Sequence, residues 1–241
     1  MELFCEYEEV MADTDKAGKV LRTIRERMGE DAAVMIARAA ACPDKDKADL
    51  IYRMIVLGLH LKDGHRITGM LGDPVMQRMF ELGRKAGNIA MRYIEIIRFQ
   101  ELDSGALLAV IDPEADVLAL IASHFSNRLP LENWMIYDRR RQKAVIHPAG
   151  KGWFLVEEVD ERSVLEAEMS HEEAWYGELW KCFFKTLTIE ARVNQKLQTS
   201  LIPLKYRDFM KEFQNESLRE DCEKCQNKET KQEYEKQISQ E

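Results

Sequence analysis

The chain has 241 residues, enough to bury a core without disulfide or metal staples. Five irregularly spaced cysteines do not suit a secreted disulfide framework, and no uninterrupted apolar run is longer than that of residues 106–111. The first thirteen residues carry five acids and no base, so neither a signal peptide nor a spanning helix is expected, and the cytoplasm is the expected compartment. The formal charge of −8 is concentrated at the ends, with −5 over residues 1–13 and −3 over residues 214–241, so the stretch between them is neutral in sum and can still carry a basic face.

Thr14 is placed to cap a helix over 15–28, with Val20, Leu21, Ile24 and Met28 on one side and Gly29 as its stop. Helices over 31–41 and 45–62 follow, separated by the break Cys42-Pro43-Asp44. Asp73-Pro74 supplies a cap and a first-turn proline for a long helix, whose apolar residues Val75, Met79, Leu82, Ala86, Ala90, Tyr93 and Ile97 recur at steps of three and four.

After Arg98 the pattern changes. Residues 99–102 and 106–111 around Asp103-Ser104-Gly105 read as a β-hairpin, Asp112-Pro113 opens a helix to about Leu129, and 134–139, 143–147 and 153–158 read as three more strands. The order β-β-α-β-β-β predicts an α+β protein, with an antiparallel sheet flanked by N-terminal and C-terminal helices and one helix across a face of the sheet. Ser170-His171-Glu172-Glu173 fits a capping box, and Tyr176, Leu179, Trp180, Phe183 and Leu187 form the stripe expected to be buried in a helix reaching about Leu197. A shorter helix over 203–213 follows. The expected organisation is an acidic segment over 1–13, a single α+β domain over 14–213 (helical 14–98, sheet 99–158, helical 159–213), and a charged, disordered tail over 214–241.

Cys222-Glu223-Lys224-Cys225 has the CxxC spacing of zinc ribbons and redox dithiols, but one pair is half a zinc site and no second pair exists, so no metal or cofactor is expected. Cys5, Cys42 and Cys182 read as small buried or surface thiols. His124 and Arg128 share a helix face at i and i+4, where they suit a phosphate or a proton transfer as readily as a core border and a helix C-terminus. Trp134 to Arg141 joins aromatic residues to three successive arginines; these read either as a phosphate grip or as an ordinary basic hairpin turn, with Asp138 available to hold an arginine. Arg192 fits a helix end, and the cluster Trp175, Tyr176, Trp180, Phe183 and Phe184 reads as core before base-stacking platform. Walker, GxGxxG, HExxH and GxSxG signatures are absent.

The segments His124-Phe125-Ser126-Asn127-Arg128, Trp134 to Arg140, Leu179-Trp180-Lys181-Cys182-Phe183-Phe184 through Arg192 and Asn194, and Pro203-Leu204-Lys205-Tyr206-Arg207 are individually weak and fairly specific together. With them the chain, over about residues 14–213, resembles a bacterial family of DNA-repair or DNA-metabolism proteins of undetermined activity. Members of that family are typically encoded beside a radical-SAM protein and are sometimes joined to a uracil-DNA-glycosylase-like domain. The resemblance implies involvement with DNA and carries no established active site. Family members usually begin with a segment containing a Tyr-Asp-Gly element, which this sequence lacks, so a late start or a truncation is expected.

Three functional expectations follow. The first is a DNA-metabolism protein working with a partner, such as a radical-SAM protein, and contacting nucleic acid through Arg98, Arg128, Arg139, Arg140 and Arg192. The second is a non-catalytic protein-interaction module. The third is a stand-alone enzyme acting on a base or nucleotide, with His124 as general acid or base beside Asp138 in a shared pocket.

Overall fold

Helix formation begins at Asp13, whose carboxylate accepts the Lys16 N–H at 2.9 Å and so takes the capping role expected of Thr14. The computed structural model describes Met11 and residues 13–189, 192–207, 210 and 213. The rest of the acidic segment over 1–13 and the whole tail over 214–241 lie outside the described residues. The described chain forms two compact units, one from residues up to 89 with 114–117, the other from 90–113 with 118 onward.

The first unit is helical. Helices α1 (Thr14–Met28), α2 (Glu30–Ala41) and α3 (Lys47–His60) are followed by a 3₁₀ turn (Gly64–Gly69) and by residues 74–89 of α4 (Pro74–Ile96). Gly29 adopts φ 88°, the left-handed conformation that ends α1 at little steric cost. Asp73 accepts the N–H groups of Val75 and Met76, as its place before Pro74 predicts. Ile24, Met28, Ile36, Met54, Met76, Met79 and Leu82 meet in one buried cluster with Leu21 and Val75 packed against it, so the stripes of α1 and α4 face a core there, while Val20, expected on the same side of α1, is exposed. The 3₁₀ turn is not foreshadowed by apolar periodicity. It sits so close to α1 that a Cβ at Gly64 would run into the Arg27 carbonyl oxygen.

At the break between α2 and α3, Lys47 Nζ donates to the Ala40 and Cys42 carbonyls at 2.7 Å, satisfying the open end of α2. Asp44 accepts from Lys85 Nζ at 2.7 Å, from Cys42 Sγ at 3.1 Å and from Arg78 at 3.2 Å. The lysine bond, then the cysteine bond, hold the Asp44 carboxyl down at about 2. Burial, followed by the Asp44 hydrogen bond, pushes the Cys42 thiol up, which makes it a packed side chain and not a reactive thiolate.

The second unit holds a five-stranded sheet in sequence order: β1 (Gln100–Glu101), β2 (Leu107–Ile111), β3 (Trp134–Asp138), β4 (Lys143–His147) and β5 (Phe154–Val156). The α+β class and the β-β-α-β-β-β order hold. Three ladders are antiparallel, but β2 and β3 are parallel, pairing Leu107 with Trp134 through Ile111 with Asp138. A parallel pair needs a long crossover, and α5 (Leu118–Arg128) supplies it. Asp112-Pro113 does not open that helix; residues 114–117 enter the first unit, where Ala115 and Val117 are buried and the Asp116 N–H donates to the Ala41 carbonyl.

Phe125 of α5 packs on Trp134, on the sheet face that also carries Ile136 and Val145. The opposite face, with Leu108, Tyr137 and Ala144, is closed by Val164 of a short helix, α6 (Glu161–Leu165). The C-terminal helices are α7 (His171–Leu187), which stops short of the expected end near 197, α8 (Gln195–Leu201) and α9 (Leu204–Arg207); of the helix expected over 203–213, residues 208, 209, 211 and 212 lie outside the described residues. Ser170 caps α7 by accepting the Glu173 N–H, as its capping box predicts. Among the described residues no helix is long and apolar enough to cross a membrane.

The Asp44 carboxyl titrates lower folded than at its ordinary value of 3.8, so its contribution to stability is present above about pH 4 and fades as pH falls through about 2. Asp44→Asn is expected to cost roughly 1 kcal/mol at neutral pH, discounted for solvent screening of this surface network, and nothing near pH 2. Urea unfolding of both proteins across that range checks it; a mutant penalty independent of pH would contradict the assignment.

Candidate functional site

The three successive arginines leave β3 at its carboxyl end, where Asp138 is wholly buried. One Asp138 oxygen accepts the N–H groups of Arg140 (3.0 Å) and Arg141 (3.2 Å), and the other accepts Arg141 Nη1 at 2.9 Å. The same Arg141 nitrogen donates to the Pro113 carbonyl at 3.0 Å, tying the exit of β3 to the exit of its parallel neighbour β2. Arg140 pairs with Asp112 at 2.7 Å, Arg139 with Glu161 at 3.1 Å, and Lys143 with Glu157 at 2.9 Å. The turn is therefore neutral in sum. A phosphate approaching Arg139 and Arg140 also meets the carboxylates of Glu161 and Asp112, which removes most of the attraction that three adjacent arginines promise in the sequence.

Asp138 is a structural anchor and does not share a pocket with His124. His124 is exposed on α5, edge-on to Phe125 at 5.1 Å, and Phe125 packs on Trp134 at the start of β3. Asp138 closes the far end of that strand, roughly 13 Å away at ~3.3 Å per residue. Geometry thus separates the two groups that an acid–base reading requires together. Arg128 is exposed one turn after His124, on the same face, and has no ion-pair partner among the described residues. Arg192 is likewise exposed. Arg98 sits after α4 and donates weakly to the Glu95 and Ile97 carbonyls, as a basic residue at a helix end does.

Burial raises the Tyr137 hydroxyl above its ordinary range, with Glu161 adding to it, and burial followed by Tyr206 and Asp112 does the same to Tyr93. Both are held protonated at neutral pH. Trp134 stacks on its cross-strand partner His147, with centroids 5.0 Å apart and planes 6° apart, and His147 Nδ1 lies 3.1 Å from the Glu132 carbonyl. This packing explains the buried histidine without a ligand.

A concave surface of the second unit lies elsewhere. A cleft of about 730 Å³ is lined by Arg98, Phe99, Glu173, Tyr176, Gly177, Leu179, Trp180 and Phe183. Phe99 links it to the core through edge contacts with Phe125 at 5.3 Å. The stripe of α7 expected to be buried faces outward: Tyr176, Leu179, Trp180, Phe183 and Leu187 are 44 to 63 % exposed. The inward side is formed by Gly177, the buried residue of α7, and one turn later by Lys181, whose side chain is largely covered and paired with Glu178 at 2.7 Å. The helix is amphipathic as its spacing requires, but its apolar side is not the packed one. Of the expected site residues, only Arg98 borders this cleft.

Sequence reasoning missed Asp112 and Glu161 as arginine partners, since they lie 28 and 22 positions from them with no local signal. The aromatic density of α7 was the available signal for the cleft.

In a comparison with known proteins, the model of a domain of unknown function, DUF4130, matches residues 45–212. No curated protein and no solved structure matches the chain.

Replacing Asp138 by Ala leaves two backbone donors and the Arg141 guanidinium without their buried acceptor, and is expected to cost about 3 kcal/mol of stability. His124→Ala, at an exposed position, is expected to change stability by less than about 0.5 kcal/mol. Chemical denaturation of the two variants decides it: an Asp138→Ala protein as stable as the parent would remove the anchoring role.

Proposed function

This chain belongs to the DUF4130 family, and we propose that it serves DNA metabolism as a binding module within an assembly, not through a reaction centred on His124 and Asp138. The observation that carries this reading is the outward aromatic stripe of α7. Five large side chains left 44 to 63 % exposed along one helix form a contiguous apolar surface, and surfaces of that kind mark contact sites in soluble proteins. The adjoining cleft is apolar apart from one base and one acid, Arg98 and Glu173, which suits an apolar protein surface better than a polyanion. The role in DNA metabolism, and a radical-SAM protein as a member of the assembly, rest on the resemblance carried by the segments around His124, Trp134, Leu179 and Pro203.

A second reading, direct contact with nucleic acid, is favoured by the exposed Arg128 and Arg192 side chains, with Arg98 at the cleft. Arg139 and Arg140 contribute less to it, because Glu161 and Asp112 already neutralise them.

At a dilution where the parent is monomeric, the paired substitution Leu179→Glu/Phe183→Glu is expected to abolish fluorescence enhancement of an apolar dye while leaving the free energy of unfolding within about 0.5 kcal/mol of the parent. A loss of more than about 2 kcal/mol would make the stripe core and end the docking reading. For nucleic acid, fluorescence anisotropy with labelled single- and double-stranded DNA across a salt series separates the arginines. Arg128→Ala/Arg192→Ala is expected to lower the salt slope by about one to two, and Arg139→Ala/Arg140→Ala by less than about one. Absence of binding at low salt would eliminate direct DNA recognition by the isolated chain.

A further inference from the structure

We infer that the occupant of the α7 face is a second copy of this chain, so that the protein is a two-fold dimer built on α7. This inference rests on the docking reading above and names its partner. Three observations lead to it.

The first is area. With ~200 Å² for a large side chain in the open, the exposed fractions of Tyr176, Leu179, Trp180, Phe183 and Leu187 leave on the order of 500 Å² of apolar surface. At the ~65 % apolar share typical of homodimer interfaces, that corresponds to about 800 Å² per partner, the size of a standard stable interface. The second is chemistry. The cleft beside α7 takes bulky apolar side chains presented along a helix, and α7 itself is such a helix, with its apolar residues at steps of three and four. The ridge residues Tyr176, Leu179, Trp180 and Phe183 also wall the cleft, so two copies of α7 brought together pack one regular apolar stripe against another, as an isologous two-fold contact does. The third is charge. The cleft carries one base and one acid, Arg98 and Glu173, so bringing two copies of it together meets no like-charge barrier.

The arrangement also accounts for the direction of α7. Gly177 and the covered stem of Lys181, one turn apart, are the covered positions of the helix. The large aromatic residues are thereby left for the partner helix, where their burial stabilises the pair.

Sedimentation of the full chain from about 1 to about 200 µM tests the inference, because the mass of a self-associating protein rises with concentration. The expected result is a species of twice 28.1 kDa, reverting to 28.1 kDa in Leu179→Glu/Phe183→Glu with the circular dichroism spectrum retained. Tyr52→Glu, on an exposed apolar position of α3 in the first unit, is the control and is expected to leave the dimer intact. A parent protein that stays monomeric throughout, or a dimer that survives the α7 double substitution, overturns the inference. In the monomeric case the apolar dye separates the two failures: dye binding that depends on Leu179 and Phe183 leaves α7 a docking face for a different protein, and none means that the docking reading fails too.

Discussion

A buried carboxylate with no exposed surface is costly unless every lone pair is used, and the second unit is organised around one. Asp138 meets that demand with two backbone N–H groups and the Arg141 guanidinium, and Arg141 in turn reaches the Pro113 carbonyl. Because β2 and β3 run parallel, their carboxyl ends lie side by side, and this single group of bonds fixes where both strands end. The Arg140–Asp112 pair repeats the same link one residue further out. Removing the carboxylate would therefore loosen the strand exits, the crossover into α5 and the orientation of the β3–β4 turn together.

That constraint also decides what the arginines are for. Three in a row read as a phosphate grip when only chain neighbours are considered, yet each finds an acid: Arg139 on α6, Arg140 at the end of β2, Arg141 on Asp138. The first two pairs are half exposed and individually weak, so they stabilise little. Their effect is on the field of the surface, which they flatten. Asp138 was legible as a possible arginine partner because it lies three positions from Arg141. Asp112 and Glu161 were not, because their contact depends on the parallel register of β2 and on the return of the chain through α6.

The helical elements were legible for a local reason. Capping side chains at Asp73 and Ser170, the stop at Gly29 and the stripes of α1 and α4 are all written within a few positions of where they act. The 3₁₀ turn at Gly64–Gly69 and the late start of α5 at Leu118 follow instead from packing with distant residues, Arg27 and Ala41. Helix α7 marks the limit of periodicity as evidence. Spacing of three and four establishes that one side of a helix is apolar, and says nothing about what covers that side. Ile24 and Met28 of the α1 stripe are buried in a core of its own chain, whereas the equally regular stripe of α7 lines a cleft and stays 44 to 63 % exposed.

Charge and apolar surface then point the same way. The whole formal charge of −8 is accounted for by residues 1–13 and 214–241, the remainder is neutral, and its arginine-rich turn is neutralised locally. The locally neutralised turn therefore gives an approaching polyanion little steering from beyond the Debye length of ~8 Å. At short range, apolar burial outweighs a few screened cations. On the second unit the α7 stripe with its cleft displays apolar surface of the kind that serves short-range contact, and Arg128 and Arg192 are exposed, individually placed cations.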